Sequence, residues 1–299
     1  MILSAGFLYG LGAAVAFALA DPGAAFLSRR MGALAATLLV AIAGVPLVAL
    51  GTLVYNEPLV TSVSATVVAL LLGIGAAVSY VGLYYAFAVG PLSVVGPITA
   101  LFGTVTVLFA VAFLGERLTI AETVAVIVAA CGSILAAIEF KGSGRIQLIG
   151  LGPLAAFGAV LLGSAITVAM QHPIRTDGWV PTVIAVRIGV AITAGIALFA
   201  VSRFWPGMGG LDGPRNGGAR LPKRFVALIA AIGCFDAIAF SSYAIGLSTA
   251  PVWLVGIVAA TSPIVLLFGG LLILHERLRP LQWVGVSLVF CSMAIIAFG

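Results

Sequence analysis

Three ionisable side chains lie in long apolar stretches of the sequence, where a charge is costly. Asp21 precedes Pro22, and Arg187 and Asp236 lie in runs of Ala, Val, Ile and Phe. A charged group at the centre of a bilayer costs about 3 kcal/mol or more, so such residues are usually functional. A carboxylate at this depth can hold a proton or a cationic group, and a guanidinium can hold a carboxylate. These three residues are the first candidates for a binding site.

Each of the three residues also has a structural interpretation. Asp21 faces a central cavity, or helix 1 ends at Ala20 and Asp21 begins a loop with Pro22. Arg187 extends to the membrane interface, pairs with an aspartate, or holds a substrate carboxylate, and the first two uses are the more common. Asp236 lies near the middle of a predicted span at 224–247, so it either belongs to a site or forms a structural ion pair.

Aromatic and hydroxyl side chains recur at the depth expected for a central cavity. Tyr80 and Tyr84 are spaced i, i+4 in a predicted helix at 65–88, so they share one face. Rings with a polar tip can line such a cavity, although ordinary packing produces the same spacing more often. Tyr243 and Trp253 reach the same level from the second half, and Thr99 adds a neutral hydroxyl.

The second half of the chain repeats the first at a constant offset of 160 residues. Gly90-Pro91 recurs as Ala250-Pro251, and Glu116-Arg117-Leu118 recurs as Glu276-Arg277-Leu278. The two Glu-Arg pairs are interpreted as caps or interfacial ion pairs that close the turn into the next helix. An internal repeat in an apolar helical chain is typical of transporters, whose two halves move around a shared central site.

Composition identifies the class of protein that must hold these residues. The chain is 63% hydrophobic and only 8% charged, with a mean hydropathy of +1.28. Soluble domains have about a quarter of their residues charged, so we predict a polytopic membrane protein. At about 20 residues per span, the chain has room for about ten helices. The expected fold is all-α, with ten transmembrane helices in two inverted five-helix repeats, because an odd number of spans inverts the second copy.

The predicted spans lie near residues 4–26, 33–55, 65–88, 92–113, 120–139, 148–170, 181–202, 224–247, 252–273 and 281–298. The predicted units are a first repeat at 1–140, a linker at 141–145 and a second repeat at 146–299. Pro97 and Pro263 are expected to bend helices 4 and 9.

The distribution of charge indicates location and partners. Of the 14 Lys and Arg residues, 11 fall in loops after odd-numbered helices, which predicts that these loops are cytoplasmic and both termini outside. We therefore expect a multi-pass protein of the plasma (inner) membrane whose basic loops face anionic lipid, not nucleic acid.

The sequence lacks the motifs of several other classes. GxxxxGK[ST], GxSxG and HExxH do not occur, so neither ATP-driven transport nor an enzyme is predicted. The three cysteines stand alone, without metal-ligand spacing, and no cofactor or metal is expected.

Two motifs of the first half are Gly90-Pro91 to Gly96-Pro97 and Gly115-Glu116-Arg117-Leu118. Together with their second-half copies, they resemble the drug/metabolite transporter superfamily, in particular its EamA-type ten-helix members. The resemblance implies a secondary exporter or exchanger of small metabolites such as amino acids, with a central cavity between the halves. Ala20-Asp21 with Arg29 is also similar to the first helix of the four-helix small multidrug resistance relatives.

The leading hypothesis is a secondary active transporter that moves a small amino-acid-like metabolite out of the cell by alternating access, with protons as a candidate coupling ion. Asp21 and Asp236 would be proton or ammonium sites and Arg187 a counter-charge or carboxylate clamp. The walls would be formed by Tyr80, Tyr84, Tyr243 and Trp253. One alternative is an exporter of cationic drugs or quaternary ammonium compounds, in which Asp21 holds the cation. Another is a non-transporting membrane scaffold or receptor.

Overall fold

The chain folds into a bundle of apolar helices in the computed structural model, which describes residues 4–90, 92–137, 151–205, 211, 223–265 and 280–298. The helices of the first half are α1 Ala5–Met31, α2 Ala33–Tyr55, α3 Val63–Val89, α4 Leu92–Ala100, α5 Phe102–Leu114 and α6 Ile120–Ala137. Those of the second half are α7 Leu151–Asp177, α8 Trp179–Phe204, α9 Lys223–Thr249, α10 Val252–Ala259 and α11 Pro280–Phe298. The predicted all-α polytopic fold is confirmed. Of the helices in the described ranges, six (α1, α2, α3, α7, α8 and α9) are long and apolar enough to cross a membrane by themselves.

Two predicted features fall outside the described residues. They are the linker at 141–145 and the second Glu-Arg-Leu copy at 276–278. The domain boundaries at 140 and 146 therefore stay a prediction.

Helix α1 extends further than the sequence predicted. It continues through Asp21 and Pro22 to Met31, so the alternative in which Asp21 begins a loop is wrong. A proline removes one intrahelical hydrogen bond, but the apolar residues beyond it, such as Ala24 and Leu27, are fully buried and hold the helix against its neighbours. Asp21 therefore lies inside a membrane-length helix.

The spans predicted at 92–113 and 252–273 are each broken within the first ten residues. Leu101 separates α4 from α5, and α10 ends at Ala259. At both breaks a backbone amide donates to the carbonyl three residues earlier instead of four. The two hydrogen bonds are Leu101 N to Ile98 O and Thr261 N to Val258 O, each at 3.1 Å. These two bonds are related by the 160-residue offset, so the break itself is a repeated feature.

The first two helices of each half are joined by a single glycine of the same geometry. Gly32 connects α1 to α2 with φ 84° and ψ 158°. Gly178 connects α7 to α8 with φ 98° and ψ 155°. A positive φ at this position favours glycine, because a Cβ atom would be strained there. These turns correspond at an offset of 146 residues, a second register of the repeat that the sequence motifs did not indicate.

An arginine three residues before each glycine turn makes the same contact in both halves. Arg29 donates Nε to the carbonyl of Phe87 at the end of α3, at 2.9 Å. Arg175 donates Nε to the carbonyl of Leu247 at the end of α9, at 3.1 Å. Because α7 begins beside the end of α3, where Gly90 and Gly152 pack together, the two arginines lie at opposite ends of the bundle. The equivalent contacts at opposite ends are those expected of an inverted repeat.

The halves are joined by two equivalent antiparallel pairs of helices. The most extensive contacts are those of α1 with α9 and of α3 with α7. The two pairs are equivalent, because α1 corresponds to α7 and α3 corresponds to α9 in the repeat. Small residues allow the close approach, with Gly6 against Ala250 and Gly23 against Ile232 in the first pair. The core is therefore rich in alanine and glycine and lies mainly between the halves.

Helices α3 and α8 cross at a pair of glycines, which leads to a prediction about stability. A Cβ atom on Gly189 would lie 2.6 Å from the Leu70 carbonyl oxygen and 2.9 Å from the Gly73 Cα. Since backbone atoms cannot move aside, Gly189→Ala is expected to lower the free energy of unfolding by about 1–3 kcal/mol. The matched control is Gly158→Ala, because a Cβ there meets nothing within 4 Å. Unfolding of the purified variants in detergent measures both, and equal stability would contradict the close crossing.

Candidate functional site

The two charged residues predicted at mid-membrane in the second half meet in the protein interior. Arg187 of α8 donates its Nη2 to Asp236 Oδ2 of α9 at 2.6 Å. The two side chains are only 5% and 7% exposed. Of the alternatives for Arg187, pairing with an aspartate is the one found, and neither charge faces the lipid.

The position of this ion pair depends on two glycines between α2 and α9. A Cβ atom on Gly44 would lie 2.5 Å from Arg187 Nη1 and 2.9 Å from the Gly233 carbonyl oxygen. A Cβ on Gly233 would lie 2.5 Å from the Cβ of Ala43. The glycines therefore bring α2 and α9 together and leave the space that the guanidinium occupies.

A cavity adjoins the ion pair at the interface between the halves. Its walls come from α2 and α3 of the first half and α8 and α9 of the second: Thr37, Val40, Ala41, Tyr80, Tyr84, Val186, Arg187, Val190, Asp236 and Phe240. We call it the central cavity. Its volume, counted as space open to the centre of a water molecule, is about 20 Å³, enough for one or two waters. In this conformation the central cavity is too small for a metabolite.

Two polar atoms at the central cavity are buried without a hydrogen-bond partner in the described part of the chain. They are Arg187 Nε and Thr37 Oγ1. An unsatisfied buried donor or acceptor costs about 1–3 kcal/mol, so such atoms are rare unless a ligand or water completes them. The guanidinium also lies over the Phe240 ring, 5.7 Å from its centroid. The arginine thus has a free donor next to the cavity.

Asp21 of α1 lies close enough to Asp236 for their charges to interact, but it does not line the central cavity. Its side chain is half-buried, and its charge interacts with that of Asp236. Among the described residues, no Lys, Arg or His lies within 4 Å of Asp21. With all three groups ionised, the cluster of Asp21, Asp236 and Arg187 has a formal charge of −1.

The two predicted wall tyrosines of α3 line the central cavity and also pack together. The rings of Tyr80 and Tyr84 meet edge to face with centroids 6.1 Å apart. Tyr84 stacks on Phe87, at 6.5 Å. Tyr80 and Tyr84 therefore both line the central cavity and pack against each other.

The other three predicted residues lie apart from the central cavity. Tyr243 lines a second, smaller cavity with a hydroxyl that lacks a described partner. Phe240 lines both cavities and separates them. Trp253 is buried in the first turn of α10, and Thr99 donates its hydroxyl to the Gly96 carbonyl in its own helix, at 2.8 Å.

Glu116 is a cap, but not of the helix that the sequence analysis expected. Its Oε1 accepts from the amide of Val252 at 2.7 Å, and its Oε2 accepts from the amide of Trp253 at 3.0 Å. These amides begin α10 in the other half, whereas the prediction had Glu116 closing the turn into the next helix. Gly115, with φ 67°, ends α5 there, and the next helix is capped instead by Glu122 with Thr119.

Sequence reasoning missed three residues that the structure places at or near these contacts. Phe240 lies one helical turn after Asp236, a spacing that would have identified it. Thr37 is a hydroxyl within an otherwise apolar helix, which is a weaker signal. Glu57 accepts from the Val180 amide of the other half at 2.9 Å, and nothing in its own sequence neighbourhood indicates that partner.

Comparison with known proteins is consistent with this architecture. No curated protein matches the chain. A solved structure titled "Crystal structure of protein" is similar over 97% of this chain and 96% of that chain, with a TM-score of 0.76 and 18% identity. At that identity the similarity supports the fold alone. The model of the EamA-like transporter family matches twice, at residues 4–138 and 150–298, once for each repeat. The chain therefore belongs to the EamA-like transporter family and is a multi-pass membrane transporter of small molecules.

Proposed function

We propose that this protein is a secondary active transporter of the inner membrane that exports or exchanges a small amino-acid-like metabolite by alternating access. The central cavity is its substrate site. The observation that carries the proposal is the buried pair of Arg187 and Asp236, with Arg187 Nε and the Thr37 hydroxyl unpartnered beside it.

The ion pair is poorly explained as a stabilising element. Burying two charges costs several kcal/mol per ion in desolvation, so a buried pair adds little net stability compared with apolar residues. The free Nε of Arg187 adds a further cost. A substrate carboxylate would accept from this Nε and from the Thr37 hydroxyl, which satisfies both atoms at once.

The charge of the cluster favours a substrate that also carries an ammonium group. No basic side chain of the described segments lies within 4 Å of Asp21, so it can pair with the ammonium of an amino acid whose carboxylate binds at Arg187. The tyrosine rings of α3 offer faces for a cation or an apolar side chain. A proton on Asp21 removes the charge that attracts the ammonium, so protons and substrate compete for one site, which supports exchange.

The position of the central cavity supports alternating access. It lies between the two halves, and its present volume excludes a metabolite. A substrate therefore enters only when the halves separate at one end of the bundle. Since the repeats are inverted, the same movement is available at each end. The absence of an ATP-binding motif in the sequence is consistent with a gradient as the energy source.

The substrate class is tested by thermal unfolding of the purified protein in detergent with matched ligands. A free amino acid is expected to stabilise the protein, by about 2.7 kcal/mol at a concentration of 100 times Kd. Its amide lacks the carboxylate and its N-acetyl derivative lacks the ammonium, so both are expected to stabilise far less. Thr37→Val should weaken binding about tenfold through the lost hydroxyl. Thr99→Val, whose hydroxyl bonds within its own helix, is the control.

Two results would oppose the amino-acid assignment. One is the absence of any stabilisation across the amino acids, and the other is equal stabilisation by the amide or the N-acetyl derivative. Either would show that the site does not recognise both charged groups.

A second candidate is export of organic cations, which is favoured by the unpaired carboxylate of Asp21. Quaternary ammonium compounds belong in the same thermal screen. Stabilisation by these compounds that is lost in Asp21→Asn, with reduced survival of cells expressing that variant, would favour this candidate over amino-acid transport.

A further inference from the structure

Two helices of the second half begin without a capping side chain of their own. The N-cap of α8 is Gly178 and that of α10 is Pro251, and neither makes a side-chain cap bond. By contrast, α1 and α3 are capped by the hydroxyls of Ser4 and Ser62. The first amides of a helix have no intrahelical acceptor, so α8 and α10 need acceptors from elsewhere.

Carboxylates from the first half supply these acceptors. Glu57, in the connection after α2, accepts from the Val180 amide of α8 at 2.9 Å. Glu116, after α5, accepts from the amides of Val252 and Trp253 of α10 at 2.7 and 3.0 Å. A negative charge at a helix N-terminus is favoured by the helix dipole. Hydrogen bonds to charged groups are also stronger than neutral ones. Each contact crosses from one half to the other.

Both contacts lie at the same end of the bundle. Tyr55, at the end of α2, packs edge to face on Trp179, at the start of α8, with centroids 5.2 Å apart. At the other end, the described contacts between the halves include the rings of Phe26 and Phe225 at 6.4 Å and a backbone bond from Leu34 N to Leu211 O at 3.3 Å. Neither of these involves a carboxylate. Among these described contacts, those that join the halves through a carboxylate therefore lie at one end.

We propose that Glu57 and Glu116 form a carboxylate latch, which holds the halves together at this end and whose release opens the central cavity to that side of the membrane. This inference rests on the alternating access proposed above. The three hydrogen bonds cross the interface that must separate. When it does, the carboxylates and the amides can bond to water instead, so the latch is reversible. The latch thereby sets how often this end is open.

The latch is tested by the accessibility of a cysteine in the central cavity. Ala41 lines the cavity and is only 5% exposed, so Ala41→Cys serves as the reporter in a protein whose three native cysteines are replaced. A membrane-impermeant thiol reagent is applied to proteoliposomes from either side. Glu116→Gln removes the charge and one acceptor, and is expected to speed labelling from the latch side about tenfold. The double variant with Glu57→Gln is expected to reach about a hundredfold if the two contacts act independently.

The matched control is Glu122→Gln. Glu122 accepts from the amide and hydroxyl of Thr119 at the start of its own helix, at 2.7 and 2.9 Å. It is therefore a cap near the same end that does not cross between the halves. Labelling at the wild-type rate in Glu116→Gln and Glu57→Gln would overturn the latch. So would an equal increase in Glu122→Gln.

Loss of folding and failure of the transport proposal are separate outcomes of the same experiment. A misfolded variant exposes the reporter cysteine to reagent from both sides. Release of the latch increases labelling from one side only. An increase from both sides therefore counts against the latch. Reporter labelling that never occurs from either side in any variant would count against alternating access itself. The measurement needs no substrate, so an error in the substrate class leaves the result on the latch unchanged.

Discussion

Transport by Asp236→Asn is expected to fall about a hundredfold or more in proteoliposomes. Asp236 Oδ2 accepts a hydrogen bond from Arg187 Nη2 at 2.6 Å, and both residues line the central cavity. The neutral amide leaves the guanidinium buried without a counter-charge, and breaking a buried pair in this way costs about 3–5 kcal/mol. A change of 1.4 kcal/mol corresponds to a tenfold change in an equilibrium constant. Even part of the cost, expressed at the substrate site, therefore removes most of the flux.

The control for this variant is Asp177→Asn at the end of α7. Asp177 is partly exposed and accepts from the neighbouring Thr176 hydroxyl at 2.7 Å, away from the cavity. Its flux should match that of the wild type. Asp236→Glu keeps the charge and should recover part of the flux if the charge is what matters. Unchanged and still pH-dependent flux in Asp236→Asn would remove Asp236 from the mechanism.

Arg187→Met is expected to lower the free energy of unfolding by about 3–5 kcal/mol, because it leaves Asp236 as an unpaired buried charge. The double variant with Asp236→Leu should recover most of this loss, since an apolar pair of similar size commonly replaces a buried ion pair without loss of stability. Transport should not recover, because the double variant has neither charge for the substrate. Unfolding in detergent and flux in proteoliposomes measure the two effects separately.

Arg203→Met is the control on the same helix. Arg203 lies in the last turn of α8 and is exposed, so its loss should change stability by less than about 0.5 kcal/mol. Equal stability of the Arg187 and Arg203 variants would show that Asp236 is not held as a buried charge. Recovery of transport in the double variant would show that the pair is structural only.

The sequence identified the charged residues of the candidate site but not the contacts between them. The cost of a charge in an apolar helix identified Asp21, Arg187 and Asp236, since that cost depends on the local sequence alone. Whether Arg187 pairs with an aspartate or extends to the interface depends on the rotation of α8 against α9. It also depends on the space for the guanidinium beside Asp236, which small residues such as Gly44 and Gly233 leave between α2 and α9. Glycine is common throughout this chain, so sequence alone could not distinguish these two from the rest.

The ends of the helices show the same division. The Glu-Arg-Leu motif predicted a cap or an interfacial ion pair at Glu116, and Glu116 is a cap. Its partner is α10, 136 residues later in the chain. A carboxylate near a helix end accepts from whichever free amides the fold places beside it. The local sequence around the carboxylate does not identify a partner so far along the chain.

By itself, the sequence determined the membrane environment, the helical class and the twofold repeat, because hydrophobic length, charge content and periodicity are properties of the chain and not of its contacts. The tertiary structure alone decided which charges meet, that the central cavity is too small for a metabolite in this conformation, and that Glu57 and Glu116 bind the other half. These contacts depend on how helices approach and rotate against one another. In an apolar bundle that approach is governed by packing between small residues, which leaves little trace in the pattern of any single helix.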